Sequence, residues 1–257
     1  MNRKLTNWTL GIGTPLLLVA AWGVFSQGST NTFFPPLGMI LERFQALWLF
    51  DHFGSDVMLS LRNLVIGYAL ATVIGVGMGF VTALVPVVRW ALDPLIHFVR
   101  GIPPVALVPI FISLIGFGIE MRLVSITLAA VFPTLIATVD GIRSVDPTLK
   151  DVSQVYRLTR AERLAQVYLP AAGPQIASGM QVSLQVAFIV MIASEMLGSS
   201  QGIGAMTLLA QQSFMTADMW AGILLLGVVG FGANLVFEVI KNKVLAWYVG
   251  SRRLARS

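Results

Sequence analysis

The residues that could do chemistry in this chain are few and scattered. The 257 residues include no cysteine and only two histidines, His52 and His97, which lie far apart. A zinc or haem site needs clustered ligands, so none is expected here. No serine stands beside a histidine, there is no HExxH motif and no carboxylate pair at a useful spacing, and no lysine follows a glycine. Neither a catalytic constellation nor a Walker A phosphate loop is therefore present. The remaining chemistry is charge.

Charge is concentrated in one interior segment, Asp151–Pro170, with the sequence DVSQVYRLTRAERLAQVYLP. Each half of this segment carries a few apolar residues, which are Val152, Val155, Tyr156, Leu164, Val167 and Tyr168. Two short helices of this kind are too short to cross a bilayer and too charged to lie inside one. The segment is therefore predicted to lie at a surface and to contact a partner.

Capping signals set the predicted bounds of these two helices. Asp146 followed by Pro147 is typical of a helix start, because the carboxylate can accept free first-turn amides and proline is tolerated at the first helical position. Thr159 and Glu162 have the spacing of a capping box, so a second helix is expected to begin near Arg160. Pro170 is expected to end it.

The composition identifies the solvent of the rest of the chain. Hydrophobic residues make up 56% and charged residues 11% of the sequence, whereas soluble domains carry about 25% charged residues. An integral membrane protein is therefore predicted. The net charge of +5 is better explained by basic residues on one side of a membrane than by nucleic-acid binding.

The apolar runs predict an all-α protein with six membrane-spanning helices. They cover residues 8–25, 59–85, 95–118, 123–139, 172–197 and 220–245. The first run could also be a signal peptide, but no small-residue cleavage site follows it, so a retained span is favoured. Residues 37–50 are amphipathic and are expected to lie along the outer membrane face. Arg89 and Asp93 are expected in a short inner turn.

Glycines in the second run favour close helix packing. Gly75 and Gly79 have the small-xxx-small spacing that lets helix backbones approach each other in lipid. The alternative, a nucleotide-binding loop formed by GVGMG, lacks the preceding strand that such a loop requires.

Two sets of residues are candidates for a translocation pathway. Pro103, Pro104 and Pro109 interrupt the third run, and a membrane tolerates the freed carbonyls only where protein or water satisfies them. In the fifth run, polar residues share one helical face, and they are Ser178, Gln181, Gln185 and Glu195. The simpler alternatives are kinks that only aid packing, hydrogen bonds between helices, and, for Glu195, water at the outer boundary.

The distribution of basic residues predicts the orientation. Most of them lie at the N-terminus, around the charged segment and in the tail, which includes Arg252, Arg253 and Arg256. The other side has little beyond Arg43, Arg62 and Arg122. Both termini and the charged segment are therefore predicted to be cytoplasmic.

The charged segment resembles the coupling loop of binding-protein-dependent ABC importer permeases. That motif begins with Glu-Ala-Ala, has glycine at its seventh place and ends in Leu-Pro. Asp151 takes the Glu place, Arg157 the Gly place, and Leu169 and Pro170 the closing pair. Because arginine rarely adopts positive φ, either the turn is built differently or Arg157 contributes a charge to the partner contact.

Other blocks resemble the taurine, alkanesulfonate and nitrate branch of the same family. They are FFPPLGMILERFQAL, SLRNLVIGYALATVIGVGMGF, LDPLIHFVRGIPPVALVPI, AAVFPTLIATVDGIRSVDPTL and ASEMLGSSQGIGAM, together covering about residues 33–248. The resemblance implies a type I permease fold that pairs with a second permease copy, two cytoplasmic ATPase subunits and an extracytoplasmic substrate-binding protein. ATP and Mg would be bound by the ATPases, and this chain would need no cofactor of its own. The solute would be a small anion such as a sulfonate, taurine, nitrate or an organic acid.

The resemblance also implies a division of the chain and a set of coupling residues. Residues 1–54 form a first span and an amphipathic segment, residues 55–247 the transmembrane domain with a coupling loop at 144–170, and residues 248–257 a basic tail. The implied contacts with the ATPase are Asp151, Tyr156, Arg157, Thr159, Arg160, Glu162, Arg163 and Pro170. A solvated loop that only sets topology is the simpler alternative for each. A channel or ion-coupled transporter without an ATPase remains the alternative function, and a multi-pass membrane enzyme is a third.

Overall fold

The computed structural model describes residues 3–29 and 31–248, and every element in these ranges is helical. Eleven α-helices follow one another. They are α1 Arg3–Ser26, α2 Leu37–Phe44, α3 Met58–Leu84, α4 Pro86–Arg100, α5 Val108–Ile115, α6 Ile119–Arg143, α7 Pro147–Val155, α8 Arg160–Arg163, α9 Leu169–Gly198, α10 Ile203–Gln212 and α11 Thr216–Val244. Three π-helical segments, Gln45–Asp51, Phe53–Val57 and Leu164–Tyr168, and one 3₁₀ turn, Pro104–Leu107, connect some of them. The tail arginines Arg252, Arg253 and Arg256 lie outside the described residues.

Four of these helical stretches are long and apolar enough to cross a bilayer. They are Phe53–Leu84, Ile119–Arg143, Arg160–Gly198 and Thr216–Val244. A fifth crossing is possible if the bent pair Pro86–Arg100 and Pro104–Ile115, which meet at 90°, forms one span. The described apolar part of α1, Gly13–Ser26, is shorter. The count of six spans therefore stays a prediction.

Helices α3, α6 and α9 form the centre of the molecule. A core cluster joins them through side chains that include Leu64, Ile126 and Met191. A Cβ on Gly75 would lie 2.9 Å from the Val131 carbonyl oxygen, and one on Gly79 would lie 2.5 Å from Thr138 Cβ. These glycines let the backbones of α3 and α6 approach, which confirms the packing interpretation of the small-xxx-small spacing. GVGMG lies inside helix α3 and forms no loop.

Helix α6 contains Pro133 and depends on α9 to satisfy its backbone there. The Ser183 hydroxyl donates to the Ala130 carbonyl at 2.6 Å and accepts the Thr134 amide at 3.1 Å. Proline removes a donor from a helix, and in a membrane the disturbed groups need a partner from a neighbouring helix. The backbone of α6 beside Pro133 is thus held by a buried hydroxyl from α9.

The region around Arg89 and Asp93 differs from the expected short turn. These two residues lie inside helix α4 as an i,i+4 ion pair, with Nε to Oδ2 at 3.1 Å. The inner turn is instead Val85, which has extended φ and ψ between α3 and the first-turn proline of α4. The expected third span is correspondingly divided by the sharp break after Arg100, because Pro103 and Pro104 lie where the chain turns.

Helix α2 and the π-helical segment after it pack against α11. Ile40 and Trp48 are buried in a cluster with Leu225. Arg43 forms a bidentate pair with Asp218, with Nη2 to Oδ2 at 2.8 Å. The hydrogen bond to Asp218 raises the pKa of the Arg43 guanidinium. This pair ties the amphipathic segment to the outer part of the bundle.

Candidate functional site

The charged segment forms two helices with the predicted caps. Asp146 Oδ1 accepts the Thr148 amide at 2.8 Å at the start of α7. This backbone hydrogen bond lowers the pKa of the Asp146 carboxyl. Thr159 and Glu162 form the capping box, with Glu162 Oε2 accepting the Thr159 amide at 2.8 Å. Both starts are confirmed.

Arg157 makes the turn between these helices with a φ of 51°. The Arg157 amide donates to the Gln154 carbonyl at 2.9 Å, and the Leu158 amide donates to the Ser153 carbonyl at 3.1 Å. Arginine thus adopts the left-handed conformation that glycine adopts easily, at a cost of about 1–2 kcal/mol. The alternative of a differently built turn is therefore wrong. Leu158 and the preceding turn hold the backbone in place.

Exposed apolar side chains lie on this segment. Val155 is 81% and Tyr156 76% exposed, and Val152 and Leu164 are also exposed. We call these four residues the coupling patch. Among the arginines, Arg160 is exposed, whereas Arg163 folds back and donates from Nη2 to the Leu158 carbonyl at 3.4 Å. Arg163 therefore also supports the turn.

Pro170 does not end the second helix, contrary to expectation. The helix that begins at Arg160 continues through the π-helical turn Leu164–Tyr168 into α9, so that Arg160–Gly198 is one 39-residue stretch. In the π-helical turn the Leu169 amide bonds to the Leu164 carbonyl, five residues back. The wider turn accommodates the missing amide of Pro170 without breaking the helix. Leu164 of the coupling patch and the fifth apolar run are consequently parts of one element, whereas Val152, Val155 and Tyr156 lie on α7 and the turn after it.

A cavity of about 500 Å³ lies between the α4–α5 break and helices α6 and α9. Its walls are largely apolar, and its polar side chains are Arg100, Asp140, Gln175 and Ser178. Two of the predicted pathway residues, Pro104 and Ser178, line it. Pro103 precedes the 3₁₀ turn beside it, and Pro109 is exposed on α5 outside its lining. Because of its four polar side chains, we call this cavity the polar cavity.

The other predicted pathway residues lie elsewhere. Gln181 contacts helix α11, where its Nε2 donates to Asn234 Oδ1 at 3.0 Å and its Oε1 accepts from Lys241 Nζ at 2.7 Å. Gln185 is exposed outside the cavity lining. Glu195 is completely buried at the opposite end of α9, so the interpretation as a water-reached boundary carboxylate is wrong. The four residues of the expected polar face therefore lie in four different environments.

Sequence reasoning missed Arg100, Asp140 and Gln175 as cavity residues. Arg100 is the last residue of α4, directly before the break, and Asp140 lies near the end of α6. Neither side chain forms a hydrogen bond or ion pair with any residue that the structure describes. A charged residue beside the Gly-Ile-Pro-Pro interruption was the available signal for Arg100.

Another cavity of about 500 Å³, separate from the polar cavity, lies at the end of the bundle opposite α7 and α8. Arg122 lines it together with glycines and serines of the α5–α6 and α9–α10 connections. Arg122 Nε donates to the Gly118 carbonyl at 3.2 Å, and its Nη1 is buried with no hydrogen-bond partner. No group of three or more metal-binding side chains occurs among residues 3–29 and 31–248.

Comparisons with known proteins identify the family of this arrangement. Residues 71–245 match the family described as the binding-protein-dependent transport system inner membrane component. The chain is 30% identical over 248 residues to a putative aliphatic sulfonates transport permease of Bacillus subtilis, covering 96% of this chain and 90% of that protein. It is 28% identical to the taurine transport system permease of Escherichia coli, covering 93% and 90%. It is 29% identical to a bicarbonate transport system permease of Synechococcus elongatus, covering 96% and 90%.

Solved structures share the fold. An inward-facing form of the MetNI methionine ABC transporter superposes with a TM-score of 0.61 at 17% identity, covering 74% of this chain and 94% of that one. An amino acid ABC transporter gives 0.56 at 14% identity, covering 85% and 99%. With a family match over most of its length, and with the helical bundle described above, the chain belongs to the binding-protein-dependent ABC importer permeases of the inner membrane.

Proposed function

We propose that this chain is the permease subunit of an ATP-driven importer for a small anionic solute. It forms the translocation pathway together with a second copy of itself and couples to two cytoplasmic ATPase subunits. An extracytoplasmic binding protein delivers the solute. The observation that carries this proposal is the single helical stretch Arg160–Gly198, which begins beside the coupling patch and forms a wall of the polar cavity.

The coupling patch has the properties of a protein contact. Exposed valine and tyrosine on a short capped helix gain stability when a partner buries them, and tyrosine is enriched at such interfaces. Val152, Val155 and Tyr156 lie outside the stretches that are long and apolar enough to span a membrane, whereas Leu164 lies near the start of one. We therefore assign the exposed Val155 and Tyr156 to a protein partner rather than to lipid. A groove on each ATPase is the partner that we assign to it, and ATP and Mg bind to the ATPase.

Movement of the ATPases reaches the cavity through α6 and α9. Helix α7 follows α6 after three residues, and α8 continues into α9. When ATP draws the two ATPases together, the coupling patch moves with them and shifts both helices as levers. The polar cavity then changes its side of access, because packed helices switch between discrete arrangements. Both termini and the coupling patch face the cytoplasm in this arrangement.

The substrate class rests on relatives and on one cavity residue. Relatives at 28–30% identity are named for aliphatic sulfonates, taurine and bicarbonate. Arg100 places an unpaired guanidinium against the polar cavity, and a guanidinium forms strong bidentate hydrogen bonds with oxyanions. We therefore assign a small oxyanion as the solute and Arg100 as a residue that it passes.

Copurification and ATP hydrolysis test the proposal. The chain is expressed together with its ATPase and binding protein, and the complex is isolated through a tag on the permease. Val155→Asp places a carboxylate in the coupling patch and is expected to remove the ATPase from the purified complex. Gln212→Asp, an exposed position at the end of α10, is the matched control and is expected to retain it.

Two outcomes contradict the proposal. A permease that mediates solute flux in vesicles without any ATPase would be a channel or an ion-coupled transporter. A Val155→Asp variant that retains the ATPase and its stimulation by the liganded binding protein would show that the patch is not the contact.

A further inference from the structure

A buried cluster at the far end of α9 holds the first turn of helix α10. Three backbone amides at this helix start donate to side chains from other segments. The hydrogen bonds are Gly202 N to Asp56 Oδ1 at 2.7 Å, Ile203 N to Ser60 Oγ at 3.0 Å and Gly204 N to Glu195 Oε2 at 3.0 Å. The first amides of a helix have no partner within it, and carboxylates are stabilising there. The start of α10 is therefore bound by α9, by α3 and by the segment directly before α3.

Glu195 is the centre of this cluster. Its side chain is 0% exposed, and its second oxygen, Oε1, accepts from Ser60 Oγ at 2.7 Å. Both carboxylate oxygens therefore have a donor. Arg122 is close enough to interact electrostatically with Glu195 without forming an ion pair within 4 Å. A buried carboxylate with two short hydrogen bonds is costly to disturb, because any lost donor leaves it unsatisfied.

The contact between Glu195 and α10 leaves no free space. A Cβ on Gly202 would lie 2.5 Å from Glu195 Cδ, and one on Gly204 would lie 2.7 Å from the Ile192 carbonyl oxygen and 3.1 Å from Glu195 Cβ. Gly202 also has a φ of 113°. Only glycines let the α10 backbone reach this carboxylate. The fit fixes α10 against α9 more tightly than the short Ser199–Gly202 connection could.

An exposed apolar tip lies at the C-terminal end of helix α10 and in the connection that follows it. Leu209 is 53%, Phe214 73% and Met215 57% exposed. Leu164 of the coupling patch lies on the continuous helix Arg160–Gly198, whose two ends are separated by about 58 Å at 1.5 Å per residue. The other three patch residues lie on α7 and the turn after it, and α10 with its tip follows the far end of the helix. Glu195 lies within the last turn of that helix, where it meets α10.

We infer that Glu195 is a positioning residue for transport that makes α10 move as one body with α9. Displacement of the coupling patch then reaches the exposed tip of α10 at the opposite end of the molecule. The inference rests on the proposed function, because it requires that an ATPase moves the coupling patch. Beyond that function, it identifies the exposed tip of α10 as the place where the movement arrives.

Replacing Glu195 with glutamine changes one functional group at constant size. A carboxamide offers one acceptor oxygen and one donor group. If its oxygen accepts from Gly204 N, its amino group faces Ser60 Oγ, which then has to accept and loses the acceptor for its own proton. If its oxygen accepts from Ser60 Oγ instead, its amino group faces the Gly204 amide, which is left without an acceptor. Glu195→Gln is therefore expected to weaken the attachment of α10 to α9 while the surrounding apolar packing remains.

The absence of cysteine from this chain allows site-specific spin labelling of the permease, which is then assembled with partner subunits whose cysteines have been replaced. One label is placed at Leu209→Cys on α10 and, in a separate sample, one at Gln154→Cys on α7. Distances between the two permease copies are measured without nucleotide and with a non-hydrolysable ATP analogue. In the otherwise unchanged chain both distances are expected to shift. In Glu195→Gln the α7 distance still shifts, whereas the α10 distance stays constant or broadens.

Stimulation of ATP hydrolysis is a second measurement, and it would not change if Glu195 only stabilised the fold. Stimulation by the liganded binding protein is expected to fall about tenfold in Glu195→Gln, equal to about 1.4 kcal/mol of coupling free energy, with basal hydrolysis retained. Glu120→Gln is the control, because this carboxylate is exposed in the first turn of α6 at the same end. Glu195→Asp, which keeps the charge but is shorter, is expected to show the same loss and covers the case that the glutamine variant does not assemble.

The outcomes separate the two proposals. An α10 distance that shifts in the Glu195 variants as it does in the parent chain overturns the positioning role. An α7 distance that does not shift in the parent chain overturns the proposed coupling to an ATPase, whatever the Glu195 variants do.

Discussion

The two ends of helix α9 are built in opposite ways. At one end, helices α7 and α8 are largely exposed. Their caps and the turn between them are held by hydrogen bonds between residues two to five positions apart. At the other end Glu195 is buried and bound to partners that include Ser60, 135 residues away. The first end can dissociate from a partner and return unchanged. The second end cannot open without leaving charged and polar groups unsatisfied.

This difference fits what each end has to do. A docking element must keep its shape when its partner is absent, so local caps that tolerate water are suitable. An element that transmits displacement must not yield, so buried and fully paired groups are suitable. The comparison predicts that equal chemical changes have large effects on stability at the Glu195 end and small, local effects at the coupling end.

The largest effect is expected for Gly202→Ala. The new methyl group would meet Glu195 Cδ at 2.5 Å, and alanine is strained at a φ of 113°. Strain and overpacking together are expected to lower the free energy of unfolding by about 3 kcal/mol or more. The thermal unfolding midpoint of the detergent-solubilised protein measures this loss of stability.

Gly227→Ala is the matched control for this change. A Cβ at Gly227 on α11 meets no atom within 4 Å, and alanine has the higher helix propensity. Its midpoint is expected to be unchanged or slightly raised. Equal midpoints for the two variants would mean that the contact between Glu195 and α10 is looser than described.

A smaller and local effect is expected for Thr159→Ala at the coupling end. The change removes the cap of α8, which costs about 1 kcal/mol of helix stability. Amides 160–163 are expected to exchange hydrogen faster, while the global thermal midpoint stays the same. Thr32→Ala, another exposed threonine, is the control and should leave exchange in α8 unchanged. A large drop of the global midpoint would contradict the local character of this end.

The same comparison explains which features the sequence could predict. The caps at Asp146 and Thr159 were predictable because each partner lies within three residues. The packing of Gly75 and Gly79 was predictable because helical spacing alone brings small residues to one face. Each of these signals is contained in a few consecutive residues.

Features that depend on distant partners were not predictable. Helix α10 was missed because its first amides are bound by Asp56 and Ser60, 146 and 143 residues away. Glu195 was assigned to a polar face because helical periodicity gives the angle of a side chain and not the neighbour that it meets. Pro170 was expected to end a helix, since local rules do not foresee the π-helical turn that precedes it.

At Arg157, backbone strain disfavours arginine, whereas contact with the partner favours its charge. The variant Arg157→Gly separates these two effects. Glycine relieves backbone strain at φ 51° but gains freedom in the unfolded chain, so the net change in stability is expected to be below about 1 kcal/mol. Arginine at this turn is therefore not explained by stability. We expect the variant to bind the ATPase more weakly, with a smaller dependence of binding on salt concentration, because a charge that faces the partner is lost.

Two further variants complete this test. Arg157→Lys keeps the charge and is expected to retain ATPase affinity, whereas Arg157→Asn tolerates the left-handed conformation without charge and is expected to behave like Arg157→Gly. Affinity measured against ionic strength distinguishes them. If all three variants bound the ATPase equally at every salt concentration, the guanidinium would have no partner there, and the exposed Val155 and Tyr156 would have to account for the contact alone.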